Sequence, residues 1–347
     1  MREPVRINLG LQGGGAHGAF TWGVLDRLLE EPWLEIAAVT GTSAGALNGA
    51  ALKSGWVRGD REGAREALEA LWQQVSGISD LRMPAWMQGF VPEPFFTAKA
   101  LEYSPLFAMA DTLTRVVSPY IYGPFYKNPL ERIVSEFDFD KVCTRVKGPE
   151  LHVCTTCVRD GKVRVFTGEG INTDVILASA CLPTLFQAIE MPDPVTGAPE
   201  AFWDGGYTGN PALFPLFEAH LPDDIVIVNI NPLEREGIPA TPQDIANRIN
   251  EISFNSSLLR ELRAIEFVQR LLDQGQIPEG AMKRLRVHMI ADDGLMNDLS
   301  VATKLVALPS VIAQLKAAGQ EAAEVFLSKH ADDLGQRQSA DLRDMFA

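Results

Sequence analysis

The stretch Gly41-Thr42-Ser43-Ala44-Gly45 decides the fold. It follows an apolar run at 36–39 and precedes a run of small residues at 44–52 that has helical character. A G-x-S-x-G pentapeptide between a strand and a helix is typical of a nucleophile elbow, in which a tight turn exposes the serine hydroxyl. The same residues also fit a serine that only caps the helix, with glycines that serve the turn. The pentapeptide alone leaves both interpretations open.

A glycine-rich loop precedes this pentapeptide by one predicted strand. The segment Gln12-Gly13-Gly14-Gly15-Ala16-His17-Gly18 lies between a predicted buried strand at 5–10 and a predicted helix at 19–29. Backbone N–H groups at such a junction converge on an anion, either a phosphate or the oxyanion of an acyl-transfer intermediate. The loop lacks the G-K-[ST] ending of a P-loop and the G-x-G-x-x-G spacing of a dinucleotide site. We expect His17 to pack or hydrogen-bond beside the loop rather than to act as a base.

An Asp-Gly-Gly sequence follows much later in the chain. Asp204 comes directly after the apolar pair Phe202-Trp203 and before Gly205 and Gly206. Such an aspartate can enter a pocket, although a simple turn explains the same three residues. Taken together, the glycine loop, Ser43 and Asp204 supply an oxyanion site, a nucleophile and a base, which are the parts that acyl transfer requires.

The remaining patterns predict a single domain at 1–330 and a polar tail at 331–347. Residues 332–347 are expected to be loosely held. A hairpin is predicted at 151–167 because Asp160-Gly161 separates two alternating segments. The other predicted elements are strands at 224–230 and 284–290 and helices at 58–74, 173–181, 244–274 and 308–330, so that 241–330 form a C-terminal helical part.

Residues 77–128 differ from the rest of the chain because they are rich in proline, methionine and aromatic residues. Proline repeatedly interrupts any regular secondary structure there. One interpretation is a cap over the active site whose apolar side chains contact lipid. The other is an irregular insertion that buries its aromatic residues on the main core. Residues 1–130 contain 11 basic and 13 acidic residues, a net charge of −2, which slightly favours the first.

Composition excludes several classes of protein. The 347 residues carry a net charge of −14, so binding to nucleic acid through charge is not expected. No apolar run is long enough for a signal peptide or a membrane span, which predicts a cytoplasmic protein, with peripheral membrane contact left open. Cys154 and Cys157 match C-x-x-C, but side chains three apart in a strand point to opposite faces, so both are predicted to be core residues.

These motifs, in this order and spacing, resemble the patatin-like phospholipase family. The resemblance implies a three-layer α/β/α sandwich with a central, mainly parallel sheet and a cap insertion. It implies Ser43 as the nucleophile and Asp204 as the base of a dyad without histidine, and a lipid or membrane-surface substrate. No metal and no cofactor are implied. The positions matched to the family are the oxyanion residues Gly13, Gly14, Gly15 and Ala44 and the motif glycines Gly41, Gly45, Gly205 and Gly206.

The chain departs from the family at His17, where an arginine or lysine is usual. A dyad based on a desolvated aspartate is expected to stay active at mildly acidic pH, where a histidine base would be protonated.

Two alternatives to the dyad are open. A Ser-His-Asp esterase could use His220, His288 or His330, although only two predicted strands precede Ser43. A scaffold associated with membranes or granules could keep the fold without turnover.

Overall fold

The computed structural model of the chain describes residues 2–78, 118–143, 147–235, 237–278, 280–299 and 301–346. The cap predicted at 77–128 therefore lies mostly outside the described residues.

Eight strands are described, and they form one mixed sheet. They are β1 (Val5–Leu11), β2 (Leu34–Thr42), β3 (Glu150–Cys157), β4 (Val163–Thr167), β5 (Ile189–Pro192), β6 (Pro199–Asp204), β7 (Asp224–Val228) and β8 (Arg286–Ile290). Their order is β5-β6-β3-β2-β1-β7-β8, with β4 also paired to β3. The strands from β3 to β8 in this order are parallel, whereas the pairs that involve β4, β5 and β6 are antiparallel. The predicted mainly parallel sheet is confirmed.

The described helices connect and cover these strands. They are α1 (Gly18–Leu28), α2 (Ala44–Ile78), α3 (Glu131–Val134), α4 (Phe139–Val142), α5 (Thr173–Ser179), α6 (Pro242–Asp273), α7 (Asp293–Asp298), α8 (Val301–Leu305), α9 (Pro309–His330) and α10 (Leu342–Met345). α2 is interrupted by non-helical dihedral angles at Gly59 and Asp60, where the predicted surface helix begins. Within the described part of the chain, no helix has the length and apolar character needed to cross a membrane.

Helices cover both faces of the sheet. The buried side chains of β7 alternate between two hydrophobic cores, with Val226 and Val228 in one and Ile225 and Ile227 in the other. The first core contains residues of α1, α2 and α9, and the second contains residues of α6 and α10. This arrangement is the predicted three-layer α/β/α sandwich.

The register of the sheet brings the predicted catalytic loops together. Thr42 at the end of β2 lies opposite Cys154 of β3, and Asp204 at the end of β6 lies opposite the next residue, Thr155. At these residues β4 pairs with one edge of β3, so β2 and β6 lie end to end along the other edge. β2 is parallel and β6 antiparallel to β3, so the two strands run toward each other. The last residue of β6 therefore meets the turn that follows β2 and contains Ser43.

The expectation of a loosely held segment at 332–347 is wrong for its described residues. Leu334 and Leu342 are buried. The Ala340 N–H donates to the Val287 carbonyl at 3.1 Å, and the Gly335 N–H donates to an Asp224 carboxylate oxygen at 2.9 Å. Buried leucines hold this segment against the end of the sheet formed by β7 and β8, although its composition is mostly polar.

Candidate active site

Ser43 lies in the turn between β2 and α2 with a left-handed backbone conformation, φ = 55°. A positive φ at a non-glycine residue costs free energy and persists only where its surroundings hold it. The Ser43 N–H donates to Ser179 Oγ at 2.9 Å, and the Ser179 hydroxyl donates to the Cys154 carbonyl at 2.7 Å. The Ser43 carbonyl accepts the Leu47 N–H at 3.1 Å as α2 begins. Strand β3 and helix α2 therefore both anchor the strained turn.

The motif glycines permit close approaches of main-chain segments at three positions and of the Phe254 ring at Gly206. These residues are Gly41, Gly45, Gly205 and Gly206. A Cβ on Gly45 would overlap the Leu11 carbonyl oxygen, and a Cβ on Gly205 would overlap the Cys154 carbonyl oxygen. Neither neighbour is a flexible side chain, so no larger residue fits at either position without moving the sheet.

Asp204 is completely buried at the end of β6. Its backbone N–H donates to the Cys181 carbonyl at 2.8 Å, and its carbonyl accepts the Thr156 hydroxyl at 2.8 Å. One carboxylate oxygen, Oδ1, accepts the Gly206 N–H at 2.7 Å, whereas Oδ2 has no hydrogen-bond partner among the described residues. Burial raises the pKa of the Asp204 carboxyl to about 7, even though the Gly206 N–H and the Ser43 hydroxyl both lower it.

Ser43 and Asp204 line the same cavity, which has a volume of about 220 Å³. The Ser43 hydroxyl acts on the carboxyl closely enough to lower its pKa, yet it does not form a full hydrogen bond with Oδ2. Most of the wall is apolar, with contributions from Leu47, Trp72, Leu182, Phe186, Phe254 and Leu305. Among the described residues that form this wall there is no histidine. A mainly apolar cavity with a few polar groups suits an acyl chain with one reactive group.

Gly14, Gly15 and Ala44 also line this cavity. The N–H groups of Gly14 and Gly15 donate to no group in the described part of the chain. Gly15 has φ = 59°, and a Cβ there would overlap the Lys304 carbonyl oxygen. The backbone at Gly14, Gly15 and Ala44 therefore borders the same cavity as Ser43 and Asp204.

Gly13 differs from its neighbours, and its predicted role as an oxyanion donor is wrong. Its N–H already donates to Asn210 Oδ1 at 2.6 Å. A Cβ on Gly13 would lie 2.7 Å from Ser43 Cβ. Gly13 therefore lets the loop approach Ser43, but its own N–H points to a side chain.

His17 is buried beside the loop, as expected. Its Nε2 is 2.8 Å from Thr303 Oγ1. Burial and the nearby Lys304 charge lower the pKa of His17 well below its usual value. His17 is not part of the cavity wall, so it is not placed to act on Ser43.

The three histidines considered for a triad have partners away from the cavity. His220 contacts Glu150 at 2.9 Å, and His330 contacts Asp333 at 2.8 Å. His288 is completely buried in β8, where its two ring nitrogens are each 3.0 Å from Asp224 or Ser339.

Comparison with known proteins decides the family. The family model described as patatin-like phospholipase matches residues 9–219, more than half of the chain. The chain belongs to this family. A search of the curated proteins finds no match.

Three solved structures are similar to this patatin-like chain. VipD from Legionella pneumophila is 13% identical with a TM-score of 0.44, over 94% of this chain and 67% of VipD. A chain of full-length SpcU in complex with full-length ExoU, from the type III secretion system of Pseudomonas aeruginosa, is 17% identical with a TM-score of 0.29, over 93% of this chain and 53% of that one. A chain of the heterodimeric ExoU–SpcU complex from the same system is 17% identical with a TM-score of 0.27, over 95% and 61%.

Buried amide side chains surround the glycine loop of this patatin-like protein, and no role was predicted for them from the sequence. They are Gln12, Asn210, Asn231 and Asn255. Gln12 Oε1 accepts the N–H groups of Ile230 and Asn231 at 2.9 and 3.1 Å, and Gln12 Nε2 donates to Asn255 Oδ1 at 3.1 Å. Gln12 and Asn231 follow the buried strands β1 and β7. An amide residue just beyond a buried strand is therefore the sequence feature that could have identified these two side chains.

Lys304 of α8 is a further polar residue of the cavity wall. Its Nζ donates to Asn231 Oδ1 at 2.8 Å. Burial lowers the pKa of Lys304 to about 8. No local motif surrounds it in the sequence, and it lies outside the residues matched by the family model.

Proposed function

We propose that this protein is a lipid acyl hydrolase of the phospholipase A type, which cleaves carboxylic esters with Ser43 as nucleophile and Asp204 as base. The observation that carries the proposal is the shared cavity, in which a strained serine faces a buried carboxyl whose Oδ2 has no hydrogen-bond partner among the described residues. Membership of the patatin-like phospholipase family supports the same chemistry.

The reaction begins when Ser43 Oγ attacks the ester carbonyl carbon while Asp204 Oδ2 accepts the hydroxyl proton. The carbonyl oxygen becomes an oxyanion, which accepts hydrogen bonds from the N–H groups of Gly14, Gly15 and Ala44. Collapse of this intermediate breaks the ester C–O bond, and the departing alcohol takes the proton from Asp204. Water then hydrolyses the acyl-enzyme by the same steps, with Asp204 again as the base.

A peripheral contact with a lipid surface is part of this proposal. Ile245, Ile249 and Ile252 form an apolar stripe on α6 and are 43%, 62% and 55% exposed. The same helix contributes Asn250 and Phe254 to the cavity wall. A stripe that touches lipid would therefore place the cavity near the esters that it accepts.

The test combines active-site labelling with a substrate screen. The purified protein, Ser43→Ala and Asp204→Asn are each treated with a fluorophosphonate probe and then incubated with a panel of phospholipids, lysophospholipids and glycerides. We expect the wild type alone to be labelled efficiently and to release fatty acid. Hydrolysis that persists in Ser43→Ala would refute the proposal, as would a wild type that binds liposomes but neither reacts with the probe nor hydrolyses any lipid.

Alanine substitutions of His220, His288 and His330 test the triad alternative. The dyad predicts that each variant keeps wild-type kcat/KM, provided that it folds. Loss of nearly all turnover in one folded histidine variant would favour a Ser-His-Asp site instead.

A further inference from the structure

Amide side chains hold both peptide groups that flank Gly13. The Gly13 carbonyl accepts Asn231 Nδ2 at 2.9 Å and, more weakly, Asn210 Nδ2 at 3.4 Å. The Gly13 N–H donates to Asn210 Oδ1 at 2.6 Å. In a trans peptide the C=O and the following N–H point in opposite directions. Because the Gly13 carbonyl is directed at Asn231, the Gly14 N–H is directed away from Asn231.

The orientation of the Asn231 amide is determined by its neighbours. The Lys304 ammonium only donates, so it requires Asn231 Oδ1, which it contacts at 2.8 Å. The Gly13 carbonyl and Gln12 Oε1 only accept, so they require Asn231 Nδ2, at 2.9 and 3.1 Å. A rotated amide would place an oxygen against two acceptors and an NH₂ group against an ammonium.

The Lys304 ammonium can orient the Asn231 amide because no carboxylate among the described residues forms an ion pair with it. Glu251 is the nearby acid that raises the pKa of Lys304. Both Glu251 oxygens are engaged by arginines, with Arg235 at 2.6 and 2.9 Å and Arg248 at 3.3 Å. The hydrogen bond of the Lys304 ammonium goes to Asn231.

We propose that Asn231, oriented by Lys304, is a positioning residue that keeps the Gly14 N–H directed at the oxyanion of the reaction. This inference rests on the proposed hydrolase function. Without Asn231, the glycine loop is free to rotate its peptide group, since glycine has few conformational restrictions. Rotation would exchange the directions of the Gly14 N–H and the Gly13 carbonyl, and so replace a donor by an acceptor at the proposed site of negative charge.

The experiment compares four variants, Asn231→Leu, Lys304→Met, their double mutant and Asn8→Leu. Asn8 is the matched control because it is also a buried amide, donates to the Pro222 carbonyl at 2.8 Å, and is not part of the cavity wall. The readouts are kcat and KM with a soluble ester, the rate of fluorophosphonate labelling, and Tm. We expect Asn231→Leu to lower kcat and the labelling rate roughly 10²-fold with little change in KM, as for loss of an oxyanion donor.

Lys304→Met is expected to lower kcat about 10-fold, and the double mutant is expected to match Asn231→Leu, because Lys304 acts through Asn231. Asn8→Leu is expected to lower Tm but not kcat. Asn231→Asp, which has nearly the same shape and cannot donate to the Gly13 carbonyl when ionised, should reproduce the kcat loss if Asn231→Leu does not fold.

Three results would overturn the inference. One is wild-type kcat in folded Asn231→Leu or Asn231→Asp. Another is a loss confined to KM, and the third is additive effects of the two substitutions on kcat, which would assign Lys304 an independent role in the cavity. Failure of the hydrolase proposal is recognised separately, since the wild type would then neither react with the probe nor hydrolyse the ester, or Ser43→Ala would hydrolyse it as fast as the wild type.

Discussion

Asp204 is a fully buried carboxyl that must be ionised before it can accept the Ser43 proton. Because burial raises the pKa of Asp204 to about 7, the expectation of activity at mildly acidic pH does not follow from this site. The ionised fraction of the free enzyme falls about tenfold per pH unit below that value.

We therefore predict that kcat/KM for a soluble ester falls with a unit slope below about pH 7 and is level just above it. A pH–rate profile measured with an unionisable substrate tests this directly. Alanine variants of the histidines serve as controls and should show the same decrease of kcat/KM below about pH 7. A profile that stays level down to pH 5 would show that the Asp204 carboxyl ionises well below pH 7 in the free enzyme, and would contradict this prediction.

The same carboxyl predicts a stability effect. Its pKa is higher in the folded state than the unfolded value of about 3.9, so its contribution to stability is fully present below about pH 4 and is lost as the pH rises to about 7. Asp204→Asn cannot lose a proton, so we expect it to be inactive yet more stable than the wild type at pH 8. The gain should approach about 4 kcal/mol at most and shrink toward pH 4. Urea unfolding at pH 4 and pH 8 measures the free energy of unfolding of the two proteins. A difference between them that is equal at both pH values would contradict the prediction.

Ser179 links the strained Ser43 turn to β3 through two hydrogen bonds. Ser179→Ala leaves the Ser43 N–H and the Cys154 carbonyl without these partners, so we expect a loss of about 1–3 kcal/mol in the free energy of unfolding. The turn should also become less ordered and kcat should fall about 10-fold, with KM little changed. Chemical denaturation measures the loss in the free energy of unfolding, and steady-state kinetics measures kcat and KM. An unchanged kcat in a destabilised variant would assign Ser179 a purely structural role.

Among the secondary-structure elements, α6 best illustrates what periodicity can and cannot predict. The apolar spacing at 244–274 correctly predicts a long helix. The structure buries Leu258, Leu262 and Ile265 but exposes the stripe of Ile245, Ile249 and Ile252. Periodicity identifies an apolar face, but which part of that face is covered depends on distant segments.

We predict that the paired substitution Ile249→Asp and Ile252→Asp weakens binding to phospholipid vesicles, because each replaces exposed apolar area by a charge. Hydrolysis of a soluble ester should be unchanged. The matched control is Val325→Asp, a similarly exposed apolar residue of α9. Vesicle co-sedimentation and ester kinetics on the three proteins make the comparison, and equal vesicle binding by all three would exclude this stripe as the contact surface.

For the whole molecule, the sequence predicted the sheet and the turn at Ser43 because each depends on residues close together in the chain. The amide contacts could not be predicted in this way, since Gly13 is 197 residues from Asn210 and 218 from Asn231. The failed prediction for Gly13 has the same cause. Whether an N–H of a glycine loop is free depends on a side chain that only the folded chain brings to it.

The sheet register also shows that the boundary of the family match is not a folding boundary. The match ends at residue 219, but β1 pairs with β7 through Asn8 to Leu11. A fragment ended at 219 would leave that edge of β1 unpaired and available to other chains, so it should aggregate when expressed alone. It would also lack Asn231 and Lys304, and therefore the contacts that orient the glycine loop. Expression fragments intended for activity assays must extend through β8 and α9.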